Sequence, residues 1–141
     1  EVLTKASIPV MGHLGLTPQS VHKLGGYTVQ GREEDKRRVM IEDAKILEDN
    51  GAFSIVLEMV PALLAGEITK SLSIPTIGIG AGNLCDGQVL VINDMLGFDE
   101  RFNPKFLKKY TNLADTVRKA LSDYSREVKA GTFPAAEHSF K

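Results

Sequence analysis

The run Ala52-Phe53-Ser54-Ile55-Val56-Leu57, closed by Glu58 and followed by Met59-Val60-Pro61, constrains this chain more than any other stretch. It is almost wholly apolar, short, and preceded by a helical pattern. A run of that kind reads as a strand of a parallel sheet covered on both faces, rather than as a strand alternating between core and water. Parallel strands in turn require crossover connections, usually helical. The run also ends in a carboxylate, and the C-terminal ends of such strands are where α/β barrels gather their chemistry. Glu58 is therefore a candidate proton-transfer group. The competing reading is an ion pair with a Lys or Arg on a rim loop.

The flanking sequence supplies the expected crossovers. Ile8-Pro9-Val10-Met11-Gly12 reads as a short strand entered through Pro. Residues 13–32 form a long polar, glycine-rich loop, of a length that is usually functional or disordered. Within it Thr17-Pro18-Gln19-Ser20 can start one helical turn, with Thr17 as cap. Residues 34–50 carry Val39, Ile41, Ala44, Ile46 and Leu47 in an approximate helical stripe that Asn50-Gly51 ends. A second helix is expected over 61–72, with Pro61 at its start and Leu63, Leu64, Ile68 and Leu72 spaced three or four apart. Strands are expected at 76–80 and 88–92, and helices at 103–109 and 111–129, the last stopped by Gly131. The tail, 132–141, reads as irregular. The order is that of an α/β fold with a parallel sheet.

Composition excludes several classes of function. The 141 residues are 43% hydrophobic and 25% charged, with 17 Lys+Arg against 18 Asp+Glu, ordinary values for one globular core. The balance favours neither nucleic acid nor an acidic membrane surface. Cys85 is the only cysteine, so no internal disulfide can form, which fits a reducing, cytoplasmic compartment. No apolar run approaches the roughly 20 residues that span a bilayer.

Three further features bear on chemistry. Gly78-Ile79-Gly80-Ala81-Gly82 follows a strand but lacks the last interval of a dinucleotide fingerprint, and no helix is expected behind it. These glycines read instead as positions of close backbone packing. His13 follows a predicted strand directly, which places it at the same rim as Glu58 as a candidate substrate contact, the alternative being a structural histidine. His22 and His138 are isolated, and no second His or Cys stands at zinc-ligand spacing. Asp86, Asp94 and Asp99 read as turn and cap residues.

Longer motifs carry a resemblance. Gly12-His13-Leu14-Gly15-Leu16-Thr17-Pro18-Gln19-Ser20, Gly25-Gly26-Tyr27 and Val29-Gln30-Gly31-Arg32 resemble ketopantoate hydroxymethyltransferases. So do Leu57-Glu58 with Val60-Pro61, Ile74-Pro75 with Ile77-Gly78-Ile79-Gly80-Ala81-Gly82, Asp86-Gly87-Gln88, and Glu137-His138-Ser139-Phe140. The resemblance implies a (β/α)8 TIM barrel of the phosphoenolpyruvate/pyruvate superfamily type. It implies transfer of a hydroxymethyl group from 5,10-methylenetetrahydrofolate to 3-methyl-2-oxobutanoate, giving ketopantoate on the route to pantothenate and coenzyme A. A divalent metal, usually Mg2+, would hold the 2-oxo acid. Glu58 would take the proton from C3, His13 would hydrogen-bond the substrate, and the assembly would be a homo-oligomer, often a decamer.

The family's metal-binding aspartates, a substrate lysine and a glutamate beside the metal have no counterpart here; they are expected ahead of Glu1. Residues 1–141 are accordingly expected to be the C-terminal half of a single barrel domain, supplying strands five to eight and the C-terminal helices. Four strands do not close a barrel, which needs about eight. Alone, the segment should not turn over, and it should expose apolar sheet flanks that favour aggregation. Two readings compete: a metal-dependent lyase acting on another 2-oxo acid in the same superfamily, and a non-catalytic half-barrel that pairs with another chain.

Overall fold

The computed structural model describes residues 1–20 and 26–140; His22 and Gly25, singled out above, lie outside them. The chain forms two compact units, Glu1–Val89 and Leu90–Lys141.

The first unit runs from a short helix α1 (Val2–Lys5) into β1 (Val10–Gly15) and a 3-10 turn at Pro18–Ser20. Then come α2 (Glu34–Asp49), β2 (Ala52–Glu58), α3 (Ala62–Ser71), β3 (Thr76–Ile79) and β4 (Gly87–Gln88). The four strands pair in chain order and all run parallel, the α/β arrangement expected from the alternation of patterns. Pro61 caps α3 rather than opening it, and Gly51, at φ +85, turns the chain from α2 into β2.

Alternation along β2 sends Ile55 and Leu57 to one face, where both are fully buried against Ala44 of α2 and Leu64, Ala65 and Ile68 of α3. Each such aliphatic side chain contributes about 1.5–3 kcal/mol on burial, so strand and helices stand or fall together. The register puts Met11, His13, Val56, Glu58, Ile77 and Ile79 on the opposite face. That face is half-buried at most of these positions, and Met11 is 44% exposed. The cover expected on both faces is thus met on one, because α2 and α3 pack on the same side. At the far end of α2, the Glu48 carboxylate accepts hydrogen bonds from the Ser73 hydroxyl and from the Ser73 and Ile74 amides. These bonds, the Ser73 hydroxyl foremost, hold it below the usual carboxylate range and tie the helix to the start of β3.

The β3–β4 crossover, residues 80–86, is irregular, and no helix follows the glycine motif. It lies tight against α3: a Cβ on Gly82, whose φ is +77, would fall 2.4 Å from the Cβ of Ala62. Asp86 ties its far end back to the start of β3, accepting from the Thr76 amide and hydroxyl at 2.8 and 3.2 Å.

Two expectations are corrected. The strand predicted over 88–92 stops at Gln88, with one further ladder bond from Val89 N–H to the Gly78 carbonyl. Gly80, at φ +63, turns β3 out of the ladder, so the apolar residues after Val89 have no partner there. In the second unit Ile92 instead opens a one-turn helix, α4 (Ile92–Met95). The helix predicted over 103–109 does not form. Its apolar residues Phe106 and Leu107 are adjacent rather than a turn apart, so no buried face offsets the cost of nucleation.

The long helix predicted over 111–129 is α5 (Leu113–Ala130). Asn112 caps it by accepting from the Asp115 amide, and Gly131 ends it at φ +67. Leu121, Tyr124 and Val128 on its apolar stripe stay exposed. Asp99 accepts from the Arg101 side chain and amide, which lowers its pKa. No helix of the described residues is long and apolar enough to cross a membrane.

Candidate functional site

Glu58 is the last residue of β2, flanked in register by Gly15 of β1 and Ile79 of β3. The end of a strand buried on its helix side is a stiff place from which to present a carboxylate. His13 pairs with Val56, two residues back on the same face, and its ring leans along the strand toward Glu58. The imidazole Nε2–H donates to Glu58 Oε2 at 3.0 Å. The two side chains are 33% and 21% exposed, screened enough to hold one geometry and open enough to meet a small molecule.

Two readings of these residues change. His13 lies inside β1, not beyond it, because β2 is long enough to continue the ladder to Gly15. Among the described residues Glu58 pairs with no rim-loop Lys or Arg, and its ion-pair partner is His13; Lys23 of the loop lies outside them. Asp86 is engaged at the start of β3. His138 belongs to the second unit, where its Nδ1 accepts from the Ala135 amide and its ring lies 5.3 Å from that of Phe133.

The backbone behind Glu58 is held from three segments. Its carbonyl accepts from the Leu16 amide, the Met59 amide donates to the Ile79 carbonyl, and the Met59 carbonyl accepts from the Gln30 amide, each at 2.9 Å. Met59 itself has φ +51, a left-handed conformation that costs a residue with a side chain about 1–2 kcal/mol. Gly15, at φ +91, lets this backbone approach: a Cβ there would lie 2.1 Å from the Glu58 carbonyl oxygen.

In the sequence Gly15 reads as one glycine of a loop and of a family-like motif, and Met59 only as the residue after Glu58. A methionine carries no signal for positive φ, and the bonds that impose it come from residues 29 and 20 positions away.

An open cavity of ≈ 470 Å³ lies along the free edge of β1, lined among others by His13, Gly15, Gln30, Gly31, Val39 and Met40. His13, and not Glu58, is on its wall, so an occupant would reach the carboxylate past the imidazole. Among the described residues no group of three or more His, Cys, Asp or Glu could hold a metal ion.

The family described as ketopantoate hydroxymethyltransferase matches residues 1–136. A protein of Syntrophus aciditrophicus, named 3-methyl-2-oxobutanoate hydroxymethyltransferase, is 62% identical over 138 residues, 98% of this chain and 51% of the relative. Proteins of the same name from Clostridium kluyveri and Trichlorobacter lovleyi are 60% identical over 141 residues and 58% over 138. These alignments take in 100% and 98% of this chain, and 50% and 52% of the relatives. The chain spans about half the length of the curated relatives it matches.

Proposed function

The chain belongs to the ketopantoate hydroxymethyltransferase family, and from that premise we propose that it supplies the proton-transfer half of a hydroxymethyl transfer to 3-methyl-2-oxobutanoate. The observation that carries the proposal is the His13–Glu58 pair, 3.0 Å apart at the C-terminal ends of two parallel strands. In this reading Glu58 takes the proton from C3 of the oxo acid. The carbon left behind bonds to the one-carbon unit of 5,10-methylenetetrahydrofolate and one water supplies the hydroxyl oxygen, giving ketopantoate for pantothenate synthesis. Both folate C–N bonds break, and tetrahydrofolate leaves with the C3 proton and one proton of the water. His13 holds the carboxylate and hydrogen-bonds the substrate as it enters. A C–H beside a ketone is a weak acid, so a general base placed within reach is worth about 10²–10⁴-fold in rate.

The proposal places residues 1–141 as strands five to eight and the C-terminal helices of one (β/α)8 barrel domain, the N-terminal half coming from further polypeptide. The parallel order of the sheet, its half-exposed second face and the doubled length of the relatives support this. Mg2+ or another divalent ion would stabilise negative charge on the oxo acid. The described residues do not fit such an ion, and its ligands are assigned to polypeptide outside this chain. The exposed stripe on α5 supports a homo-oligomer, and the single free Cys85 a cytoplasmic setting.

Product analysis tests the reaction class. The intact protein, given the oxo acid, Mg2+ and the folate donor, is expected to form ketopantoate, and to form nothing from the oxo acid when folate is withheld. Cleavage of the oxo acid without folate would replace this reading with that of a lyase. The 141-residue chain alone is expected to form no ketopantoate.

A further inference from the structure

We infer that Met59 is a positioning residue, whose left-handed backbone sets the aim of the Glu58 carboxylate. The inference rests on the reading of Glu58 as the base and extends it to a residue with no chemistry of its own. Among the described residues only Ser7 and Met59 combine a side chain with a left-handed φ, at +60 and +51. Ser7 follows α1 in a local turn, its amide bonded back to Thr4. Met59 differs in what holds it.

The peptide joining Glu58 to Met59 is bonded on both sides, its carbonyl to Leu16 beyond β1 and its N–H to Ile79 at the end of β3. The next carbonyl, that of Met59, is bonded to Gln30. Val60 then enters the core at 2% exposure, and Pro61 caps α3. Relaxing Met59 to an extended φ would rotate the Glu58–Met59 peptide. It would break at least one of these bonds or pull Val60 from the core, and the Glu58 Cα–Cβ bond would swing with the peptide. Strained residues persist where the surroundings over-determine them, and they collect at functional sites. Here the strain sits one residue from the carboxylate that must meet a C–H bond at a fixed distance.

Variants at residue 59 of the intact protein test this, read as kcat and KM for deuterium exchange at C3 of 3-methyl-2-oxobutanoate, per folded molecule, beside Tm. Met59→Gly and Met59→Asn tolerate positive φ and are expected to keep kcat within about threefold of the parent. Met59→Val resists it and is expected to lower kcat about tenfold to a hundredfold, the scale of a misplacement near 1 Å, with KM changed by less than about twofold. Should the valine variant not fold, Met59→Thr, also β-branched, is expected to lower kcat in the same way.

A lower Tm with unchanged kcat in Met59→Val, or in Met59→Thr where the valine variant does not fold, would overturn the positioning role. So would equal loss of kcat in the Gly and Val variants. Glu58→Gln, run alongside, separates the two failures. Normal exchange in that variant would sink the base reading itself; loss there with none at residue 59 would sink only this inference.

Discussion

Glu58→Gln in the intact protein is expected to slow deuterium exchange at C3 of 3-methyl-2-oxobutanoate by at least about a hundredfold, with the fold unchanged. The amide keeps the size of the carboxylate and can still accept a hydrogen bond from His13, but it cannot take up a proton. The side chain is 21% exposed and outside the helix-side core, so little stability depends on it. Loss of exchange with an unchanged Tm therefore isolates chemistry from folding. A KM near that of the parent would add that the group acts on the reacting C–H rather than on ground-state binding. Exchange at the parental rate would leave Glu58 as a passive rim residue and favour the half-barrel that only pairs with another chain.

Gly15→Ala is expected to have the next largest effect, through backbone alone. The added methyl would fall 2.1 Å from the Glu58 carbonyl oxygen and 2.7 Å from Cγ2 of Val60, at a φ of +91 that side chains avoid. Neither neighbour is free to give way, since the carbonyl is bonded to Leu16 and Val60 is buried. Backbone strain of this kind costs about 1–3 kcal/mol, so Tm should drop by several degrees. The exchange rate per folded molecule should also fall by about tenfold or more as β1 and β2 are pushed apart at the His13–Glu58 pair. Chemical denaturation and the exchange assay, run on the same preparation, read the two effects separately. A variant with parental Tm and parental exchange would show that the strand ends can part without moving the carboxylate.

Much of this arrangement is legible in local sequence, and the exceptions share a cause. β2 announces itself because an apolar run between a helix stop at Asn50-Gly51 and a helix start at Pro61 has few other uses. α5 does so through its apolar stripe and the stop at Gly131, while its cap at Asn112 emerges only in the structure. The strand over 88–92 has the right composition, but a ladder needs a partner, and β3 turns away at Gly80. Residues 103–109 have helix formers without a face to bury.

At the site, Glu58 follows from its place at a strand end, and its partner His13 from motif resemblance and rim position, although the strand proved longer than the motif suggested. The clamp on Met59 is not legible at all. It arises from bonds to Gln30 and Ile79 that exist only once three segments have converged.

The most direct test of the account is the structure of the intact protein with 3-methyl-2-oxobutanoate bound. The account predicts a Glu58 carboxylate oxygen about 3–3.5 Å from C3, with His13 still bonded to that carboxylate. An oxo acid bound with Glu58 turned away from C3, or bound out of reach of both residues, would contradict it.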